Sequence, residues 1–261
     1  MGIIRRNFDF IGAPVLGGLF VALLLLESRF QLRRRVQNKF TRIKTNLTVA
    51  VPAFILLRLL FLPAVILLAK RNKPVRTVLG FLLPSAFLRQ IAAFLFLDYT
   101  NYLWHILNHK VPLLWRFHLV HHTDKDLDLT TAFRFHFGEM IGSVFFRGAS
   151  TFLSGATPMT VIIYEIVFEA ATEFHHSNTR LPGKIEKRLN KLLVTPRMHG
   201  IHHSINPKET DSNFSVVFTF WDRLHRTLNL SVPQDHLIIG VPDYQDAAPL
   251  TGGYLLQMPF R

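Results

Sequence analysis

The chain has 261 residues, 49% of them hydrophobic, with 24 Phe and no Cys. The lack of Cys excludes disulfides, thiolate metal or haem sites and a thiol nucleophile, and the apolar content excludes a disordered polycation. The net charge of +13 falls wholly in residues 1–97, which hold fifteen Lys and Arg against Asp9 and Glu27, while residues 98–261 hold fifteen of each sign.

That charge flanks three apolar runs, at about 8–26, 47–69 and 77–97, the last two carrying Arg58 and Arg89. A bilayer span needs about 20 mainly apolar residues, so each is a candidate. Arg5 and Arg6 precede the first run as in a secretory signal, but no small-x-small cleavage site follows it, so a retained anchor is expected. Met1-Gly2 fails as a myristoylation signal because Arg6 stands where Ser or Thr is needed. Arg29, Arg33, Arg34, Arg35, Lys39, Arg42 and Lys44 lie between the first two runs, and Lys70, Arg71, Lys73 and Arg76 between the second and third. The excess places the 29–44 loop, and the exit of the third run, on the cytoplasmic side. Cations that bracket apolar spans do not form an exposed face for nucleic acid.

Residues 98–140 are polar and rich in His, and a fourth apolar run covers 140–171. It breaks at Ser154-Gly155-Ala156-Thr157-Pro158. Each arm has roughly 13–16 residues against the ~20 needed to cross, and Arg147, Glu165 and Glu169 suit a protein-buried setting. A helical hairpin over 141–171 that dips into the membrane and returns is expected. The histidines on either side of it would then meet on one face.

All 13 histidines lie from residue 105 onward. His105 and His109 form HxxxH; His118, His121 and His122 form HxxHH; His199, His202 and His203 form HxxHH again. On a helix, positions i, i+3 and i+4 share a face, so each motif presents a patch of imidazoles. One metal takes about four to six ligands, so eight imidazoles point to two ions of the iron, zinc, copper or nickel type. A structural zinc site closes at four ligands. Each ring's second nitrogen needs a partner, and Asp98, Asp124, Asp126, Asp128, Glu139, Glu173, Glu209, Asp211, Asp222, Asn178 and Asn213 are at hand. His175 and His176 are adjacent, about 100° apart on a helix, so one of them faces the metals. His225 and His236 are isolated and read as surface or packing residues.

In these motifs the sequence resembles the membrane-bound fatty acid hydroxylase / sterol desaturase superfamily, closest to compact bacterial-type members. The resemblance covers about residues 98–261: Asp98-Tyr99-Thr100-Asn101-Tyr102-Leu103-Trp104-His105, Trp115-Arg116-Phe117-His118, Arg134-Phe135-His136, His175-His176-Ser177-Asn178, Thr195-Pro196-Arg197-Met198-His199 and Trp221-Asp222-Arg223-Leu224. It implies an all-α integral membrane protein with residues 1–97 as anchoring helices and 98–261 as a His-rich catalytic region, one integrated unit. It implies His105, His109, His118, His121, His122, His176, His199, His202 and His203 as ligands of two iron ions, with zinc possible in purified protein. His105, His118, His121, His199 and His202 would surround one ion, and His109, His122, His176 and His203 the other. His136, His175, Asp98, Asp128, Asn178, Asn213 and Asp222 would assist. Phe137, Phe214-Ser215 and His225-Arg226 depart from the usual family residues and touch the substrate pocket rather than the ligands.

The activity so implied is O2-dependent hydroxylation or desaturation of a lipid C–H bond. The lipid would approach between the 77–104 helix and the hairpin. With no Gly-rich dinucleotide fingerprint, electrons are expected from a separate ferredoxin, cytochrome b5-like protein or reductase. A metal transporter would want polar ligands inside the spans, and the first three runs contain no His. A bis-His haem protein would leave HxxHH unused.

Overall fold

The first apolar run forms a π-helical turn, Phe8–Gly12, that continues as α1, Ala13–Arg29. The computed structural model describes residues 8–71, 83, 85–246 and 250–261, and regular structure among them is entirely helical, with three isolated bridges and no strand. Arg5, Arg6, Lys73 and Arg76 lie outside the described residues.

The second run forms one continuous rod: α2, Lys39–Leu56, a π segment, Leu57–Phe61, and α3, Leu62–Arg71. Pro63 lacks the N–H that would bond the carbonyl of Leu59, and the widened turn lies just before it. The rod has 33 residues, about 50 Å at 1.5 Å per residue, against about 30 Å of hydrocarbon. Its first two turns therefore extend past any apolar layer, and there Arg42, Thr45 and Asn46 are buried in protein. α1 with its π turn and this rod are the two described helices long and apolar enough to cross a membrane. They leave Phe10, Val15, Val21, Leu25, Val51, Phe54, Leu59 and Leu67 exposed, a belt that suits lipid and marks a membrane protein.

The described part of the third run begins at its cap: Ser85 caps α4, Ala86–Lys110, by accepting from Leu88 N. Ten apolar residues, with Arg89 and Gln90 among them, then precede buried Asp98, Thr100 and Asn101. Most of the run's first half lies outside the described residues. α4 carries its apolar part directly into the His motif.

α5, Pro112–His122, follows, then a 3-10 turn, Leu129–Phe133. The fourth run folds as two helices, α6, Phe137–Ser154, and α7, Pro158–His176, broken where the sequence breaks. Both arms exceed the expected length because α6 starts one residue after His136 and α7 runs on to His176. Gly155 adopts φ 68, the left-handed conformation that ends α6. At the tip, Thr157 N and Thr160 Oγ1 donate to Gln90 Oε1 at 2.9 and 2.6 Å, pinning the hairpin to α4. Arg147 and Glu165 pair across the arms at 2.6 Å, with the guanidinium over the rings of Phe61 and Phe168. The apolar core joins Phe61, Leu62, Val65 and Ala69 to Ala93, Leu97, Ala156, Val161 and Tyr164.

The basic segment after α1 is not a free loop. Asn178 brackets Arg33, accepting from its N and donating to its carbonyl, both at 2.9 Å. Arg42 is 3% exposed and bonds Asp124, Asp128 and Thr131. Glu27 Oε2 accepts from Leu129 N and Asn178 N, each at 3.0 Å. Charges from the first 97 residues thus tie directly to the His-rich region. Removing Arg42 takes the nearest cation from two buried carboxylates, leaving Asp124 with Arg134 at 4.0 Å and Asp128 with Arg35 at 3.9 Å. Arg42→Ala is expected to lower unfolding free energy by about 3–5 kcal/mol, read as a lower thermal midpoint of the detergent-solubilised protein.

Candidate metal centre

The HxxxH motif lies on α4, the first HxxHH on α5, His176 at the end of α7, and the second HxxHH on α8, Pro196–His202, with His203 as its C-cap. α5, α7 and α8 each begin with Pro in the first turn, where its missing N–H has no partner to lose. Asn213 anchors α8 from outside. Its φ of 56 suits Asn, and its amide donates to Met198 O and Asn229 O while its oxygen accepts from Asn229 N.

These elements converge. The ring nitrogens of His105, His109, His118, His122 and His202 lie within 4.8 Å of one another, and so do those of His121, His176, His199 and His203. Within the four-membered group, Nε2 of His176 lies 3.1 Å from Nε2 of His121 and 3.0 Å from that of His199, and His199 lies 3.1 Å from His203. In the other group, Nε2 of His118 and His122 are 3.2 Å apart.

The division differs from the one that the family resemblance implies. His109 and His122 join the first group, and His121 and His199 join the second. In each HxxHH the i and i+4 rings, His118 with His122 and His199 with His203, stay together, while the i+3 ring crosses to the other group. The helical period explains it: i+4 lies about 40° from i, and i+3 about 60° on the other side. One motif therefore straddles two centres.

The second nitrogens fix several tautomers. Nδ1 of His105 donates to Phe214 O, of His176 to Thr172 O, and of His202 to Ser212 O, each at 2.8 Å. In the neutral ring this leaves Nε2 as a bare lone pair. His118 Nδ1 faces Glu139 Oε2 at 3.2 Å. Nε2 of His109 and His202 are buried with no hydrogen-bond partner. Burial, and then the neighbouring imidazoles, push His105, His109, His121, His122, His199 and His203 well below the ordinary histidine range. Burial takes His176 and His202 down to about 3. These eight rings are uncharged at neutral pH, the state that ligates metal.

A metal fits this donor set. Imidazole–metal bonds of about 2.1 Å put neighbouring donors at right angles about 3.0 Å apart and opposite donors about 4.2 Å apart, close to the spacings here. Converging bare nitrogens in a buried site need a cation between them.

The auxiliary residues take other places. Asp128 serves Arg42 and caps the turn Leu129–Phe133. Asp98 accepts from Trp221 Nε1 and Phe218 N. Asp222 accepts from Phe214 N and Ser215 N, one layer behind His105. Asn178 holds Arg33. His136 caps α6 by accepting from Gly138 N, and its Nε2 donates to Leu256 O. His175 meets Val216 O, and its ring centroid is 4.1 Å from that of His199. Of the two adjacent rings, only His176 joins a metal-type group. Backbone carbonyls, invisible in a sequence pattern, orient three ligand rings and Glu139 a fourth, while Nδ1 of His121, His122, His199 and His203 is buried with no hydrogen-bond partner. His236 is exposed as expected; His225 is exposed but stacks on Tyr99 and Tyr102.

Two cavities flank the region. The larger, ≈ 1110 Å³, lies between residues 31–45 and 234–250 and meets none of the nine rings. The smaller, ≈ 60 Å³, is lined by His105, His118, His121, His176 and His199 with Trp104, Asn108, Phe135, Glu139, Phe168 and Thr172, and is the one that bears on chemistry.

A sequence model of the family described as fatty acid hydroxylase matches residues 90–227, more than half of the chain and inclusive of all nine rings. Alkylglycerol monooxygenase of Xenopus tropicalis is 32% identical over 148 residues, 56% of this chain and 31% of that protein. Cholesterol 25-hydroxylase of Homo sapiens is 30% identical over 143 residues, 53% of this chain and 51% of that protein. The chain thus spans about a third to a half of the curated relatives it matches. No solved structure matches. His121→Ala and His202→Ala, one from each group, are expected to lower bound metal per chain, and Glu139→Ala to weaken metal affinity about 10–100-fold, as read by metal analysis and chelator competition.

Proposed function

The chain belongs to the fatty acid hydroxylase family, and on that premise we propose that it is an O2-dependent di-iron oxidoreductase that hydroxylates or desaturates a C–H bond of a membrane lipid, fatty acyl or sterol-like. The observation that carries the reading is the pair of converging imidazole groups, five rings and four. His105, His109, His118, His122 and His202 would hold one iron and His121, His176, His199 and His203 the other. Iron so held supplies oxygen activation strong enough to take hydrogen from an unactivated C–H bond.

The chain's own residues position the lipid and keep water away. The ≈ 60 Å³ cavity is far below the 300–1,000 Å³ of a whole-ligand pocket, so it receives the reacting carbons while the rest of the chain lies outside. Trp104, Phe135, Phe168 and Val216 give it apolar walls between α4 and the hairpin, the approach open to a substrate from the bilayer. Phe145, Phe152, Leu153, Met159 and Ile163 leave an exposed apolar flank on the hairpin, which supports its lying in lipid as a re-entrant element. Glu139, bonded to His118, fixes that ring at the cavity wall. The Lys and Arg of 29–44 favour a cytoplasmic catalytic side, where a ferredoxin, cytochrome b5-like protein or reductase would deliver electrons.

The test is lipid mass spectrometry under isotopically labelled O2, with wild type against His121→Ala. A product that gains one labelled oxygen means hydroxylation, and one that only loses two hydrogens means desaturation; either should vanish in the variant. Ion flux in liposomes with no oxygen consumption would overturn the reading in favour of transport. His236→Ala is expected to retain activity, because its ring is exposed and outside both groups.

A further inference from the structure

One row of aromatic rings is unused by the reading above. Phe214 packs edge-on against the first imidazole group, with ring centroids 5.6, 5.2 and 5.5 Å from His105, His109 and His202. Tyr102 lies 6.5 Å behind Phe214. Tyr99 stacks with Tyr102 at 6.3 Å and 12°, and Trp221 lies 4.9 Å from Tyr99. His225 covers both tyrosines, 5.7 Å from Tyr99 and 5.1 Å from Tyr102, and is itself exposed. The row runs from the first imidazole group to the protein surface.

Phenol and indole are the side chains most easily oxidised by one electron, and in a buried site their acidic hydrogens need an acceptor when that happens. Both have one. Thr227 Oγ1 donates to Asp222 Oδ1 at 2.6 Å, so at 3.0 Å the Tyr102 hydroxyl is left as donor to Thr227 Oγ1. Trp221 Nε1 donates to Asp98 Oδ2 at 2.7 Å. Asp222 and Asp98 are 0% and 1% exposed. Buried Tyr and Trp commonly find some polar partner. Here each acidic hydrogen leads to a buried carboxylate, and the rings between are continuous.

We propose that Tyr102, Tyr99 and Trp221 form a one-electron path that carries oxidising equivalents from the imidazole-bound metal to the surface at His225 when oxygen is activated without a substrate in place. The proposal rests on the oxygenase reading of the site. Tyr102 yields one electron to the oxidised centre, while its phenolic proton passes to Thr227 Oγ1 and Thr227's proton passes to Asp222. Trp221 then returns one electron to Tyr102 across the Tyr99 ring while its Nε1 proton passes to Asp98, and Asp222 returns the phenolic proton through Thr227. A one-electron reductant in solution, a thiol or ascorbate, refills Trp221, and Asp98 returns the indole proton. The net transfer is one electron from that reductant to the centre, and the ligand histidines are spared oxidation.

The test uses the full chain loaded with redox-inert zinc, in a His236→Gln background, with a ruthenium photo-oxidant attached to His225. A flash should produce a tyrosyl radical, seen by transient absorption and electron paramagnetic resonance. Tyr102→Phe should remove most of it. Trp221→Phe should lengthen its lifetime several-fold, because no indole is left to return the electron. Thr227→Val should slow it and abolish its solvent deuterium effect, with zinc content unchanged. No aromatic radical, or the same kinetics in all three variants, overturns the path. This readout needs no oxygen activation, so it separates failure of the path from failure of the oxygenase reading, which labelled O2 addresses. In the iron-loaded enzyme under O2 without substrate, Trp221→Phe should shorten the active lifetime several-fold; an unchanged lifetime overturns the protective role.

Discussion

Uncharged lone pairs placed about 3 Å apart in a dry interior repel unless a cation lies between them, and this chain gathers nine imidazoles in that way. Everything else in the site serves that convergence. Burial keeps the rings neutral. Carbonyls of Phe214, Thr172 and Ser212 take the Nδ1 protons and turn Nε2 inward. Two three-histidine motifs each lend rings to both groups, so neither group can form without the other's helices in place.

The scaffold meets this demand from both ends of the chain. The hairpin returns α7 to the side on which α6 began, which brings His176 to His121. Gln90 holds its tip, and Arg147 with Glu165 staples its arms where single charges would be costly. The anchor also reaches in: Glu27, Arg33 and Arg42 contact Asn178, Leu129, Asp124 and Asp128. Part of the +13 that brackets the apolar runs is therefore paired internally, against acids that the second part of the chain carries.

Much of this was legible because it is periodic. Histidines at i, i+3 and i+4 announce shared helix faces, and the Gly155 to Pro158 break announces a hairpin. The protein-buried setting of Arg147 and Glu165 follows from polarity in an apolar run; that they pair with each other is a tertiary result. Other features had no linear signal. Asp98, Asp128 and Asp222 looked available to orient imidazoles, but Trp221, Arg42 and the Phe214–Ser215 backbone claim them. His225 looked isolated because its aromatic neighbours lie more than a hundred residues away.

The sequence by itself determined the membrane character, the helical class, the family resemblance and the identity of the clustered histidines, because these depend on composition and on spacing within single helices. The tertiary structure alone decided which histidines share a centre, which nitrogen of each ring points inward, and which acids are free to help. Those outcomes depend on the angle at which two helices face each other and on carbonyls that every residue possesses, and neither is written in residue identity.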